Sequence, residues 1–300
     1  MKNIRNYITG MIAALVAFSC TPTIDQDGDF LNGVNYNNPE NDGGTGGTTL
    51  PTTYIKHLSK ATTTSNGENV TFTYSYSAGK LTSVTTSDNS ISYTISYGGS
   101  DNISKIIVKN KDADTGEIIT TNYTITYSGG KFSEADGIYT DPLGNDYSQI
   151  YTATYTGNKL TKLVTKVSPV TSIPSPIDIS QTIQSDISYS GNNISTWKFS
   201  TIFPSTPPIT LPPIVITYNF SNYDAKINPF ATLPEVYNII SMHYGTQFQS
   251  FSGISANNYT KENLVTDYGS DSTAFTYTYD SDSYPTKAVS SGGTLTFEYQ

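Results

Sequence analysis

Beyond residue 54, much of the chain alternates between aromatic or aliphatic residues and Ser or Thr. The clearest segments are 72–76, 91–97, 123–127, 151–155 and 275–279. A period of two puts the aromatic side chains on one face of a β-strand and the hydroxyl groups on the other. Tyr, Ile and Thr also favour strands intrinsically. The pattern predicts an all-β domain whose strands have one aromatic and one hydroxylated face.

A repeated unit ends several of these strands. Tyr76 is followed by Ser-Ala-Gly-Lys and then by Leu81, and related units begin at Tyr127, Tyr155 and Tyr189. The central pairs of these units, such as Ala78-Gly79, suit two-residue hairpin turns that need positive φ. In that register each Tyr lies opposite the apolar residue beyond the turn. The predicted cross-strand pairs are Tyr76 with Leu81, Tyr127 with Phe132, Tyr155 with Leu160 and Tyr189 with Ile194.

The outgoing strands carry a second apolar residue three positions after the first, which a regular strand would place on the opposite face. The pairs are Leu81 and Val84, Ile103 and Ile106, Leu160 and Leu163, and Ile194 and Trp197. Either a β-bulge shifts the register, or both faces of the sheet are partly covered. Together the hairpins predict an antiparallel meander that forms a barrel-like or strongly curled sheet.

Two segments interrupt the hairpin rhythm. Eight prolines flank a single predicted hairpin at about 179–202, and they indicate either rigid connectors at one rim or a projecting hairpin that meets a partner. The second segment, 234–241, begins with Pro234, a residue suited to the first turn of a helix. We predict one short helix there, as a plug over one end of the barrel.

The N-terminus has the features of an export signal. Lys2 and Arg5 precede a short apolar run that ends at Phe18, and the only cysteine, Cys20, follows. A small residue before Cys resembles a bacterial lipobox, although Ala17 stands where Leu is usual. We predict a signal peptide at 1–19 and lipid attachment at Cys20. An ordinary secretory signal with an incidental Cys is the alternative.

The next segment, 20–53, is acidic and rich in Gly, and it contains no Lys or Arg. This composition predicts a disordered tether between the lipid and a single all-β repeat domain at 54–300. Acidic residues after a lipobox resemble the signal that sends Bacteroidetes lipoproteins to the cell surface. A solvated spacer explains the same composition.

Composition and motifs exclude several functions. The net charge of −9 argues against binding nucleic acid, and a single Cys excludes a disulfide within the chain and a Cys-based zinc site. His57 and His243 lie in no recognisable catalytic motif. The acidic segments 112–117 and 280–283 are typical of hairpin turns rather than of metal loops. We therefore predict no catalytic residue, no metal and no cofactor.

The C-terminal third carries a resemblance to a known family. The segments 218–224, 228–230, 257–258, 277–279 and 284–287 recur in that order in a family of uncharacterised Bacteroidetes lipoproteins, described as having a porin-like fold. The resemblance covers about 54–300. The tetrapeptide that ends at Asp280 is also similar to the Tyr-Asp repeat of Rhs-type wall proteins. What the family resemblance implies is an antiparallel barrel or strongly curled sheet, without known catalytic residues.

These observations predict a protein that is exported to the outer membrane, held there by its lipid, and used for binding or scaffolding. Its expected partners are the membrane through the lipid anchor and a glycan or an envelope protein. Of the 24 Tyr, 22 lie within 54–300, where they either pack into the sheet or form an exposed contact surface. A membrane-spanning β-barrel is the alternative, and a glycan-acting hydrolase with converging carboxylates is the third interpretation.

Overall fold

The computed structural model describes residues 56–65, 67–99, 101–170, 180–204, 211–244 and 253–300. Most of these residues form 17 strands: β1 Leu58–Ser65, β2 Glu68–Ser77, β3 Lys80–Thr86, β4 Ile91–Tyr97, β5 Ile103–Lys111, β6 Ile118–Ser128, β7 Lys131–Thr140, β8 Asp146–Thr156, β9 Lys159–Pro169, β10 Gln181–Ser190, β11 Asn193–Ile202, β12 Ile214–Ser221, β13 Lys261–Thr266, β14 Gly269–Ala274, β15 Thr276–Tyr279, β16 Pro285–Ser290 and β17 Gly293–Tyr299. The predicted signal peptide 1–19, tether 20–53 and attachment residue Cys20 lie outside the described residues.

The strands form one antiparallel sheet that curls back on itself. Consecutive strands pair from β1 to β14 and again from β15 to β17. Strands β14 and β15 flank Phe275 in one extended segment, whose first half pairs with β13 and whose second half pairs with β16. β1 also pairs with β17, so that Ala61 lies opposite Phe297. This nearly closed, barrel-like sheet confirms the predicted fold class.

The turns of such a meander alternate between two rims. One rim, where Lys56 enters the barrel, is called the N-terminal rim. It carries the β2–β3, β4–β5, β6–β7, β8–β9, β10–β11 and β15–β16 turns. The opposite rim carries the β1–β2, β3–β4, β5–β6, β7–β8, β9–β10, β11–β12, β13–β14 and β16–β17 connections. These two names are kept below, because the rims differ in chemistry.

The apolar face of the sheet is the inner face. In β4, Ile91, Tyr93 and Ile95 are buried, while Thr94 and Ser96 between and after them are exposed. The same alternation runs through β6 and β17. The buried residues of the strands join the buried residues of the segment 222–260 in one hydrophobic cluster. A curled sheet can share a core with such a segment only on its concave side, so the aromatic face points inward.

The hairpin registers are as predicted. Tyr76 pairs with Leu81, and the three equivalent pairs are also present. Ala78 and Gly79 have φ values of 49° and 76°, as a tight two-residue turn requires. The register shifts by one residue just before each of these tyrosines, as between Ser75 and Tyr76. A bulge therefore lets Leu81 and Val84 both point inward, where both are buried. Of the two explanations left open by the sequence, the bulge is correct.

The segment 222–260, which we call the insert, connects β12 to β13 at the N-terminal rim, and its described parts, 222–244 and 253–260, pack into the barrel. It contains the α-helix Glu235–Ser241, here α1, and the 3₁₀ helices Pro229–Thr232 and Met242–Tyr244. The predicted short helix is thus confirmed, with Pro234 as its N-cap residue. Within α1, Tyr237 is fully buried and meets the ring of Tyr93 edge-on at 5.1 Å. Among the described residues, no helix is long and apolar enough to cross a membrane.

The hairpin between the two proline-rich segments belongs to the barrel wall. β10 pairs with β9 from Gln181 to Asp186, and β11 pairs with β12 from Thr196 to Thr201. β9 ends at Pro169, and β12 begins at Ile214 directly after Pro213; both positions lie at the opposite rim. The described part of this hairpin therefore does not project from the sheet, and the connector interpretation is the better one for it.

Candidate functional site

The tyrosines at the N-terminal rim link each hairpin to the preceding one. The Tyr97 hydroxyl at the end of β4 donates to the Leu81 carbonyl at the start of β3, at 3.0 Å. Lys80, next to that leucine, places its ammonium 5.3 Å from the centre of the Tyr97 ring. The same hydroxyl-to-carbonyl bond is made by Tyr76 to Leu58, Tyr189 to Leu160, Tyr223 to Ile194 and Tyr299 to Pro285. The repeat is therefore explained by packing and hydrogen bonding within the wall.

The lysines of the repeat make cation–π contacts that were not predicted from the sequence. Lys131 lies over Tyr155 and Lys159 lies over Tyr189, at 5.5 and 5.3 Å. The recurrence of Lys directly after the turn in three of the four units was the available signal. Because ring and ammonium belong to different hairpins, only the pairing of β7 with β8 and of β9 with β10 reveals the contact.

Two carboxylates of the insert are held by rim tyrosines. Tyr155 departs from the pattern above, because its hydroxyl donates to Glu235 Oε2 at 3.0 Å. Tyr279 donates to Asp224, which also accepts from the side-chain amide of Asn258. Burial raises the pKa of Glu235 and of Asp224, and the tyrosine hydrogen bonds oppose that rise. These contacts fasten the insert to the wall.

A buried polar network lies further inside the barrel, between β6, β8 and the 3₁₀ helix Met242–Tyr244 of the insert. The Tyr123 hydroxyl lies 2.7 Å from both Gln149 Oε1 and the Tyr244 hydroxyl, and Gln149 Nε2 donates to the Tyr151 hydroxyl at 3.0 Å. Gly137 makes room for the Tyr123 ring, since a Cβ there would be 2.3 Å from Tyr123 Cε1. The network satisfies its own donors and acceptors, as buried polar groups require.

The two histidines have different surroundings. His57 precedes β1 and places its ring 4.8 Å from that of Tyr76 at the N-terminal rim. His243 lies in the 3₁₀ helix Met242–Tyr244 of the insert, with Tyr151 and Tyr244 edge-on to it, and burial lowers its pKa to about 4. His243 is thus neutral at physiological pH. The structure does not bring the two imidazoles onto shared partners.

Glu262 is the most perturbed acid of the inner face. It pairs in register with Phe220 and Thr273, and burial raises its pKa to about 8, with a smaller contribution from the charge of Asp271. A hydrogen bond from Tyr259 opposes this rise. The charge of Asp271 acts on Glu262, but Glu262 is buried beside Phe220 and Tyr259. We assign them no catalytic role.

The acidic turns are closed by their own side chains. Asp112 Oδ1 accepts from the backbone N–H groups of Asp114 and Thr115, and Asp280 Oδ1 accepts from those of Asp282 and Tyr284. Both segments are hairpin connections, as the sequence indicated. Within the described ranges, no three His, Cys, Asp or Glu side chains are grouped as a metal site would require.

A strip of the inner face near the opposite rim is only half buried. It runs across β7 to β12 and includes Tyr139, Tyr147, Gln181, Ile183, Phe199, Thr201 and Ile214. Tyr139 and Tyr147 face each other across the strands, with ring centroids 5.3 Å apart and an interplanar angle of 16°. This strip offers a ligand aromatic and apolar surface with hydroxyl and amide groups beside it.

Comparison with known proteins bears on the fold. No protein-family model matches the chain, and no curated protein matches it. A porin-like protein from Bacteroides vulgatus, solved by crystallography, is similar in structure, with a TM-score of 0.52 and 10% sequence identity. The match covers 82% of this chain and 99% of that one. The fold is porin-like. Membership of the lipoprotein family and the likeness to Tyr-Asp repeats stay predictions.

Proposed function

We propose that this chain is an exported outer-membrane lipoprotein whose barrel-like domain stands in water and acts as a binding or scaffolding module. The observation that carries the proposal is the polarity of the wall. Its inner face holds the apolar cluster and described parts of the insert, whereas its outer face carries Thr, Ser and Glu, as in β4 and β17. This polarity is that of a water-soluble domain with its core inside.

The alternative, a barrel that spans the membrane, needs the reverse arrangement. Lipid must meet an apolar outer belt about 25 Å tall, with aromatic residues only at its edges. Here the exposed outer positions of β4, β6 and β8 include Thr94, Ser96, Thr124, Thr126 and Thr152. A wall with that outer face would leave many hydroxyl groups in hydrocarbon. The porin-like fold is therefore used, in this proposal, outside the hydrocarbon layer.

The sequence and the place where the chain enters the barrel support the proposed anchor. Lys56 enters at the N-terminal rim and is fixed there by ion pairs with Asp280 and Asp282 at 2.7 and 2.5 Å. The 35 residues that separate it from Cys20 are predicted to form a flexible tether. A chain of that length spans about 30 Å on average. The tether would hold the domain close to the membrane without inserting it.

A carbohydrate is one ligand class that a specific observation favours. The half-buried strip on the inner face pairs the rings of Tyr139 and Tyr147 with neighbouring hydroxyl and amide groups. Aromatic rings with hydrogen-bonding neighbours suit the apolar faces and hydroxyls of sugars. Binding to an array of envelope glycans, lost in Tyr147→Ala, would support this choice. An array without hits would direct attention to a protein ligand.

One substitution separates the anchored module from the spanning barrel. In the full chain, Cys20→Ser should abolish metabolic lipid labelling and move the protein from the membrane fraction to the soluble fraction, still folded without detergent. Ser19→Ala is the matched control and should stay labelled and membrane-bound, since a small residue still precedes Cys20. A Cys20→Ser protein that stays in the membrane until detergent is added would contradict the proposal and favour the spanning barrel.

A further inference from the structure

The exposed large hydrophobic side chains of the described residues share one location. They lie at strand ends or in connections of the opposite rim: Ile118, Ile138, Leu143, Val170, Ile202, Leu211, Val265, Tyr268 and Val289. Single exposed apolar residues scattered over a surface are ordinary. Exposed apolar residues that all lie at one end of a barrel make that end a candidate interaction surface.

Packing within the barrel does not account for the two most exposed members. Leu143 sits in the β7–β8 connection and is 77% exposed, and Tyr268 sits in the β13–β14 turn and is 99% exposed. Asp141 closes the first connection by accepting from the backbone N–H groups of Leu143 and Asn145, so the leucine side chain is not needed to hold the turn. Turns of this kind usually carry polar residues. These two side chains are therefore free to serve a contact outside the chain.

The charge at this rim is mostly negative. The described acidic residues there are Glu68, Asp88, Asp112, Asp114, Glu117, Asp141, Asp146, Asp267 and Asp271, against Lys109, Lys111 and Lys166. At the N-terminal rim, by contrast, the two signs are balanced. The described lysines there are Lys56, Lys60, Lys80, Lys131, Lys159, Lys226 and Lys261, and the described acids are Asp101, Asp224, Glu235, Asp280, Asp282 and Glu298. The two rims therefore present different fields to an approaching partner.

We propose that the opposite rim docks an envelope protein whose contact surface combines basic side chains with apolar recesses. Complementary charge would steer the encounter, and the apolar tips would supply the buried centre of the contact. An anionic lipid surface is the less suitable occupant, because the same acidic residues would repel it. The chain also enters the barrel at the other rim, which directs the apolar tips away from an anchored N-terminus. The envelope location and the last of these arguments rest on the proposed function, whereas the inference does not depend on the glycan strip.

The test uses three labelled synthetic helical peptides of equal length and the full chain carrying Cys20→Ser, so that no lipid contributes. One peptide alternates Lys with Leu along its faces, one replaces Lys by Glu, and one replaces Leu by Gln. Fluorescence anisotropy should show binding of the Lys/Leu peptide, weakened by salt, and at least tenfold weaker binding of the other two. The double variant Leu143→Ser with Tyr268→Ser should weaken Lys/Leu binding at least tenfold.

Thr124→Ser with Thr126→Ser, on the exposed outer face of β6, is the matched control and should bind like the parent. Equal binding by the rim variant and the parent, preference for the Glu/Leu peptide, or no binding of any peptide would each overturn the proposal. The last measurement is binding of the parent and the rim variant to phosphatidylcholine vesicles. Vesicle binding that disappears in the rim variant would also overturn it and assign the rim to a lipid surface.

Discussion

Glu262→Gln tests the buried acid of the inner face. Glu262 is 6% exposed and lies among Phe220, Tyr259 and Thr273. Burial raises its pKa from 4.5 to about 8, so the folded protein keeps this proton at neutral pH whereas the unfolded chain releases it. Gln has nearly the same shape and no proton to lose. The substitution therefore removes the pH dependence and little else.

The sign and the size of the effect of Glu262 on the free energy of unfolding follow from the linkage between protonation and folding. Below pH 4.5 both states hold the proton, and the contribution of protonated Glu262 to stability is complete. Between pH 4.5 and about 8 only the folded state holds it, so stability falls as the pH rises and the loss is complete above the folded pKa. Each pH unit in that window costs about 1.4 kcal/mol, which amounts to about 5 kcal/mol over the window as an upper bound.

Urea unfolding at several pH values between 4.5 and 8 measures the effect. We expect the parent chain to lose stability more steeply with pH than Glu262→Gln, by about 1.4 kcal/mol per pH unit. The variant should become the more stable protein at the alkaline end. Asp224 and Glu235 also have raised pKa values and contribute a slope of the same sign to both proteins, so the difference isolates Glu262.

Glu134→Gln, on the exposed outer face of β7, is the matched control and should leave the pH profile of the parent unchanged. Parallel profiles for the parent and Glu262→Gln would refute the reasoning. They would mean that water reaches the carboxyl group in the folded protein and that its proton is not retained.

Two further substitutions test the packing of the interior. Gly137→Ala should destabilise the fold by about 1–3 kcal/mol in thermal unfolding, because the new Cβ would be 2.3 Å from the buried Tyr123 ring. Gly99→Ala, with open space around the new Cβ, is the control and should cost far less. Equal losses would show that the ring can move. Tyr155→Phe removes the donor to Glu235 and should cost about 1–3 kcal/mol in urea unfolding, more at high pH than at low pH. A loss independent of pH would show that the hydroxyl does not stabilise the carboxylate.

The structural features that could be predicted from the sequence are those set by residues close together in the chain. The period of two, the tight turns and the pairing of Tyr76 with Leu81 are set by residues within one hairpin. Strand period and turn chemistry are local rules, so the registers of four hairpins and the meander could be predicted. The helix near Pro234 could be predicted for the same reason.

The candidate sites depended on contacts that local rules do not reach. The bond from Tyr155 to Glu235 joins residues 80 positions apart, and the ion pair of Lys56 with Asp280 joins residues 224 apart. Sequence spacing carries no information on such pairs. The burial of Glu262 and the half-buried strip of the inner face follow from the same kind of contact.

The sequence by itself determined that the domain is made of amphipathic antiparallel hairpins, because side-chain alternation and turn residues are written in neighbouring positions. Only the tertiary structure decided that the aromatic face points inward, that a bulge rather than a second covered face explains Leu81 and Val84, and that β1 meets β17. It also decided that the exposed apolar residues gather at one rim. The bulge is a property of the hydrogen-bond register within a hairpin. The other features follow from closing the sheet, a long-range event that fixes which face becomes the core and which turns become neighbours.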